Sequence, residues 1–108
     1  MDGLTHVQVM AMKHAGPDTL EDLRPFLEEL RRYDALKEKR LGSFYFKSSA
    51  FLHFHEDPSG IFADVKLDGL SFSRYRATTR TEQRNLLSLI NRLLASLQTG
   101  STSHGSAT

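Results

Sequence analysis

The alternation of apolar and polar residues between Phe44 and Leu67 is the feature that most constrains how this chain folds. Large apolar residues fall on even positions in the first part of this stretch and on odd positions in the second part. A period of two places every second side chain on the same face of a β-strand. The pattern therefore predicts strands with one buried face, joined at residues 56–60 by a turn containing Asp, Pro and Gly.

A charged run and a weaker strand pattern lie on either side of this stretch. Residues 70–77 hold Phe72 and Tyr75 among serines and arginines, which is typical of an edge strand protected by its charges. Residues 33–42 are strongly charged and end in a glycine, so they are predicted to connect a helix to the first strand. The sequence thus predicts a meander of three or four antiparallel strands.

Helical patterns precede and follow the predicted strands. An apolar stripe over residues 20–30 predicts an N-terminal helix, which Pro25 must bend or split because proline removes a helical hydrogen bond. Thr79 and Glu82 form a capping-box pattern, and leucine and isoleucine then recur with helical spacing up to Leu97. Gly100 predicts the end of this C-terminal amphipathic helix.

Strands grouped between two helices predict an α+β fold, with the C-terminal helix packed on one face of the sheet. We expect a single domain over residues 17–98. Residues 1–16 alternate only weakly, and they are predicted to be an N-terminal arm or a short strand. Residues 99–108 are small or polar, and they are predicted to be a flexible tail.

The composition excludes several classes of function. Lys and Arg number 14 and Asp and Glu number 13, so the chain lacks the strong basic charge expected of a nucleic-acid-binding domain. The absence of cysteine excludes disulfides, thiolate metal sites and thiol catalysis. We find neither an apolar run of membrane-spanning length nor a secretory-signal pattern, and we expect a cytoplasmic protein without membrane contacts.

A His-x-His pattern is the first candidate for chemistry. His53 and His55 are two residues apart on a predicted strand, so both imidazoles point to the face away from the core. Asp64 on the next strand has the matching parity if the two strands pair around the turn. Two imidazoles and a carboxylate suit a divalent transition metal such as zinc, iron or nickel. Other candidates for the third ligand are Glu56, Asp57, His6 and His14.

Aromatic and basic residues are predicted to share that same face. Tyr45, Phe51 and Phe62 fall on the parity opposite the apolar stripe, and Lys66 accompanies them. Exposed rings beside positive charges are typical of a protein interface, a homodimer contact or a single-stranded nucleic-acid platform. We favour the first two, since the rings can also stack across neighbouring strands.

Four arginines near the last helix form the remaining candidate site. Arg74 and Arg76 share a strand face, and Arg80 and Arg84 share a helix face. At a helix N-terminus this set suits a small anion, although charged edge strands also keep proteins soluble.

These patterns leave the function open, and they favour a non-enzymatic binding or interaction module because no motif for nucleophilic catalysis occurs. The expected surface is the uncovered sheet face, and the expected partner is a protein, a second copy of the chain or an anionic small molecule. The alternatives are a metal-binding protein or metal-dependent enzyme, and single-stranded nucleic-acid binding. The surface residues are Tyr45, Phe51, His53, His55, Phe62, Asp64, Lys66, Arg74 and Arg76, of which His53, His55 and Asp64 are the metal candidates.

Overall fold

A computed structural model describes residues 13–106 of the chain. Within that range the protein has six strands and three helices, which confirms the predicted α+β class. In chain order these are β1 (Lys13–His14), α1 (Pro17–Asp22), α2 (Arg24–Arg31), β2 (Leu36–Arg40), β3 (Ser43–Phe46), β4 (Ser49–Asp57), β5 (Gly60–Val65), β6 (Ser73–Arg76) and α3 (Arg80–Ser106).

All six strands belong to one antiparallel sheet. Strands β2 to β6 form a meander in chain order, and β1 pairs with β4. Strand β5 occupies one edge of β4, so β1 and β3 lie end to end along the other edge. The predicted three or four strands were too few.

The strand that the sequence analysis missed is β2, which lies in the predicted connection 33–42. Its only apolar residue is Leu36, which is buried, and the rest of the strand is charged. Glu38 accepts hydrogen bonds from Arg31 and from the N–H of Gly42. This strand forms the edge of the sheet, where charged side chains prevent pairing with another chain. The alternation that reveals a half-buried strand is therefore absent from its sequence.

A β-bulge at Phe51 changes the parity on which the predicted open surface depended. Phe44 pairs with Leu52 but Tyr45 pairs with Ala50, so Phe51 is the additional residue on β4. In such a bulge two residues oppose one on the neighbouring strand, and strict alternation breaks down. Phe51 is only 3% exposed and belongs to the core together with Leu52. Its predicted position on the uncovered face was wrong.

The helices cover one face of the sheet. The buried side chains of β4 and β5, such as Phe54 and Ala63, form one core with residues of all three helices. Phe26 of α2 contacts Phe54 edge to face, with ring centroids 5.8 Å apart. The hydroxyl of Tyr33, just after α2, donates to Asn91 of α3. The N-terminal and C-terminal helices therefore pack side by side on the same face.

The helix boundaries follow local sequence chemistry. The N-terminal helical region is split at Leu23, and Pro25 lies in the first turn of α2, where its missing N–H costs least. The predicted capping box is present at the start of α3: Glu82 N–H donates to Thr79 Oγ1, and Thr79 N–H donates to Glu82 Oε1.

The structure describes most of the predicted C-terminal tail but not the first twelve residues. Helix α3 continues past Gly100 to Ser106, so Gly100 does not end it. The flexibility of residues 99–108 stays a prediction, and residues 1–12 lie outside the described range. Among the described residues, no helix combines the length and the hydropathy needed to cross a membrane.

Candidate metal centre on the open sheet face

The face of the sheet opposite the helices holds most of the predicted site. We call it the open face, because no helix among residues 13–106 packs on it. Strand register places two rows of side chains across it. One row contains His53, Asp64 and Arg74. The adjacent row contains His14, His55, Phe62 and Arg76.

The carboxylate of Asp64 is the centre of the first row. Its Oδ2 atom lies 2.9 Å from His55 Nδ1 and 3.4 Å from His53 Nε2. The three potential donor atoms of His53, His55 and Asp64 lie within 4.8 Å of one another. The structure thus brings together all three residues that the sequence nominated as metal ligands.

Arg74 fixes the orientation of that carboxylate. Its Nε donates to Asp64 Oδ1 at 2.8 Å and its Nη2 donates to Oδ2 at 2.9 Å. A bidentate pair of this kind is strong and geometrically specific. In metal sites, carboxylate ligands commonly accept such hydrogen bonds from residues that do not bind the metal themselves.

Burial and charge set the protonation of the cluster. Burial lowers the pKa of both His53 and His55, although the Asp64 charge opposes this shift. Burial alone raises the pKa of Asp64, but the hydrogen bond and charge of Arg74 outweigh burial and lower the pKa below its usual value. At neutral pH the cluster therefore presents two neutral imidazoles and one carboxylate, which are the protonation states that bind metals.

His55 Nδ1 is a buried nitrogen that makes no well-aligned hydrogen bond with a described residue, although the carboxylate of Asp64 is within hydrogen-bonding distance. It approaches Asp64 Oδ2 closely, but the in-plane direction of an Nδ1–H bond misses that oxygen. When the proton is on Nε2 instead, the lone pair of Nδ1 points in that same direction. A buried, unpaired ring nitrogen is unfavourable unless another group occupies that direction.

The other predicted surface residues are partly engaged. Tyr45 is half-buried, with the ammonium of Lys39 4.7 Å from its ring centroid. Phe62 is half-buried, with the guanidinium of Arg76 5.3 Å from its ring centroid. Lys66 is half-buried and belongs to the same face by alternation from Asp64.

The predicted anion site is largely neutralised. Arg74 pairs with Asp64, and Arg76 Nε donates to Glu82 Oε2 at 3.0 Å. Arg84 donates to the hydroxyl of Thr81. Of the four arginines, Arg74 and Arg76 therefore pair with carboxylates, and Arg84 contacts only a neutral hydroxyl.

Two of the remaining ligand candidates are used elsewhere. Glu56 accepts from the N–H of Gly16, and Asp57 accepts from Ser59 within the β4–β5 turn. His14 is exposed, and its ring centroid lies 4.6 Å from that of His55. His6 lies outside the described residues.

Phe72 is a site residue that the sequence analysis did not nominate. Its ring contacts His53 edge to face, at 4.8 Å between centroids, and Lys66 Nζ lies 5.0 Å from its centroid. It lies in the loop before β6, and no periodic pattern links it to the histidines. Phe72 shields one side of the imidazole cluster from solvent.

Comparisons with protein-family models, with curated proteins and with solved structures found no significant match to this chain. The function must therefore be argued from the site.

Proposed function

We propose that the protein binds a divalent transition-metal ion on the open face, through His53, His55 and Asp64. The observation that carries this proposal is the buried, unpaired His55 Nδ1, which lies in a cluster with two further potential donor atoms. An imidazole–carboxylate network serving only stability would be expected to satisfy this nitrogen.

The spacing of the donor atoms fits a shared ion. Two atoms bound to one metal at about 2.1 Å lie about 3.0 Å apart in octahedral geometry and about 3.4 Å apart in tetrahedral geometry. The two nitrogen–oxygen separations in the cluster are 2.9 and 3.4 Å. The donor atoms of His53 and His55 lie within 4.8 Å of each other, so the imidazoles must adjust in order to reach the same ion.

The donor types restrict the metal. Imidazole nitrogen with carboxylate oxygen suits zinc, iron, nickel or copper, whereas magnesium and calcium prefer sites built from oxygen alone. Such an ion supplies Lewis acidity and a bound water of lowered pKa. Arg74 holds the carboxylate, and Phe72 shields His53.

The neighbouring space leaves room for an exogenous ligand. A cavity of about 160 Å³ lies in the gap between β1 and β3, and His14 and His53 line it together with Leu20 and Phe54. Of the three proposed ligands, only His53 lines this cavity. The proposal is one of binding and does not assign a reaction.

Metal titration of the full-length chain by isothermal calorimetry tests the proposal. We expect one Zn²⁺ or Ni²⁺ per chain, and loss of binding in His53→Ala and Asp64→Asn. His104→Ala is the control, because it removes another imidazole and should leave the stoichiometry unchanged. If the unsubstituted chain takes up no metal, or if His53→Ala binds as well as the original chain, the proposal is wrong.

Self-association through this face stays a second proposal. Phe72, which contacts His53 on the open face, is 39% exposed, and Leu70 in the same loop is 84% exposed. Exposed apolar residues beside a binding face support a protein contact. Light scattering over a range of concentrations tests it, and a monomer at the highest concentration would exclude a dimer.

The nucleic-acid alternative has less support. Phe51 is buried, and the rings of Tyr45 and Phe62 each have a cation over them. A base would have to displace these cations in order to stack.

A further inference from the structure

Within residues 13–97, one more imidazole lies on the open face than the proposed metal site uses. His14 is the last residue of β1, and it pairs directly with His55 across the β1–β4 ladder. Directly paired residues of antiparallel strands project on the same side of the sheet. The imidazole of His14 therefore lies on the open face, next to the proposed ligands.

The three imidazoles form a triangle of suitable size. The centroid separations are 4.6 Å for His14 and His55, 5.0 Å for His53 and His55, and 6.1 Å for His14 and His53. A ring centroid lies about 3.2 Å from a metal bound at about 2.1 Å, so two rings on one metal are separated by about 4.5–5.2 Å. Two of the three separations fall in that range. The third is longer, so the exposed side chain of His14 would have to rotate towards His53 in order to share the ion.

The backbone around His14 is held in this register by contacts that do not involve the ring. Ala15 N–H donates to the carbonyl of Phe54 at 3.1 Å, and Gly16 N–H donates to Glu56 Oε2 at 2.6 Å. Because β1 is only two residues long, these bonds are the main fixed points of the segment. They place His14 opposite His55 without engaging its ring nitrogens.

We propose that His14 is a fourth ligand of this metal site, so that the bound ion links β1 to β4. This inference rests on the proposed function and deepens it. The site becomes three imidazoles and one carboxylate, a donor set suited to zinc, cobalt, nickel or copper. Metal binding is then coupled to the ordering of residues 13–16, because β1 supplies His14 while β4 supplies His53 and His55.

The test is a Co²⁺ titration of the full-length chain, followed by visible absorption, and competition with Zn²⁺. Loss of a ligand changes the coordination number, so His14→Ala should alter the Co²⁺ spectrum. It should also weaken Zn²⁺ binding by at least about tenfold. Even the loss of a residue that only hydrogen-bonds to a metal ligand typically lowers metal affinity by about that factor or more. Lys13→Ala is the matched control, since Lys13 is the neighbouring exposed residue on the same strand and projects to the other side. It should change neither readout.

Hydrogen exchange supplies an independent readout. Zn²⁺ should increase the protection of the amides of residues 13–16 in the unsubstituted chain and not in His14→Ala. If His14→Ala keeps the spectrum, the affinity and the exchange response while Asp64→Asn loses metal, His14 is not a ligand and the three-residue site stands. If the unsubstituted chain binds no metal, the proposed function fails as well.

Discussion

The two faces of the sheet use neighbouring residues of the same strands for opposite purposes. On β4, Phe54 is 3% exposed and faces the helices, whereas His53 and His55 on either side of it face away. The covered face is held by apolar burial, which depends on close packing. The open face holds a polar cluster around Asp64, which depends on the mutual satisfaction of charges and hydrogen bonds. Substitutions on the first face should therefore affect mainly stability, and those on the second mainly ion binding.

Phe54→Ala against Phe62→Ala gives the largest expected difference. Removing the Phe54 ring leaves a cavity in the core, and we expect unfolding to become easier by about 3–5 kcal/mol. Phe62 is half-buried and its ring is covered by Arg76, so its loss should cost about 1 kcal/mol. Urea denaturation measures both. Equal losses would show that the open face is packed as tightly as the covered one.

Zinc should stabilise the fold through the open face alone. An ion at one hundred times its dissociation constant adds about 2.7 kcal/mol to the free energy of unfolding. Thermal denaturation with and without Zn²⁺ checks this value. Asp64→Asn should abolish the increase, while Phe62→Ala, which removes no ligand, should retain it. An increase that survives Asp64→Asn would place the ion elsewhere.

Arg74→Ala sharpens the comparison by leaving a carboxylate without its partner. Asp64 is 7% exposed, so removal of the bidentate pair leaves a nearly buried charge. Because the Arg74 side chain itself is half-exposed, we expect a loss of about 1–2 kcal/mol, below the value for a fully buried pair. Arg76→Ala is the matched control on the same strand. Its partner Glu82 is more exposed than Asp64, and we expect a smaller loss than for Arg74→Ala. Equal losses in denaturant titrations would contradict the special role of Asp64.

The smallest expected effect is a dependence of stability on pH. The pKa values of His53 and His55 are lowered by burial, so in mildly acidic solution the unfolded chain binds more protons than the folded one. Stability is then full above about pH 6.5 and falls as pH decreases towards the folded-state pKa values. The double variant His53→Asn, His55→Asn should show a shallower decrease. Denaturation in metal-free buffer at pH 7.5 and pH 5.5 measures the difference, and identical slopes would contradict it.

The positions of the candidate residues could be predicted from the sequence where local rules applied. The alternating pattern predicted that His53 and His55 share a face, and the turn at residues 56–60 predicted that Asp64 faces them. The proximity of Asp64 and Arg74 required the register of β5 with β6, which side-chain alternation alone does not specify. The contact of Phe72 with His53 depends on the path of a loop and has no periodic signal.

The incorrect predictions concern two places where the folded structure departs from the simple alternation of buried and exposed residues along a strand. Phe51 was assigned to the open face because its parity was counted along a regular strand, and the bulge changed that parity. Strand β2 was missed because an edge strand with one buried side does not need many apolar residues.

The sequence by itself determined the α+β class, the interruption of the N-terminal helix near Pro25, the cap of α3 and the opposite orientations of Phe54 and its flanking histidines. Each of these depends on residues close together in the chain, through backbone geometry or local hydrogen bonds. Only the tertiary structure decided the bulge, the position of β1 beside β4 and the convergence of His14, His55 and Arg74 around the same cluster. Those features depend on which strands pair and in which register, and that choice is made by the burial of the whole core.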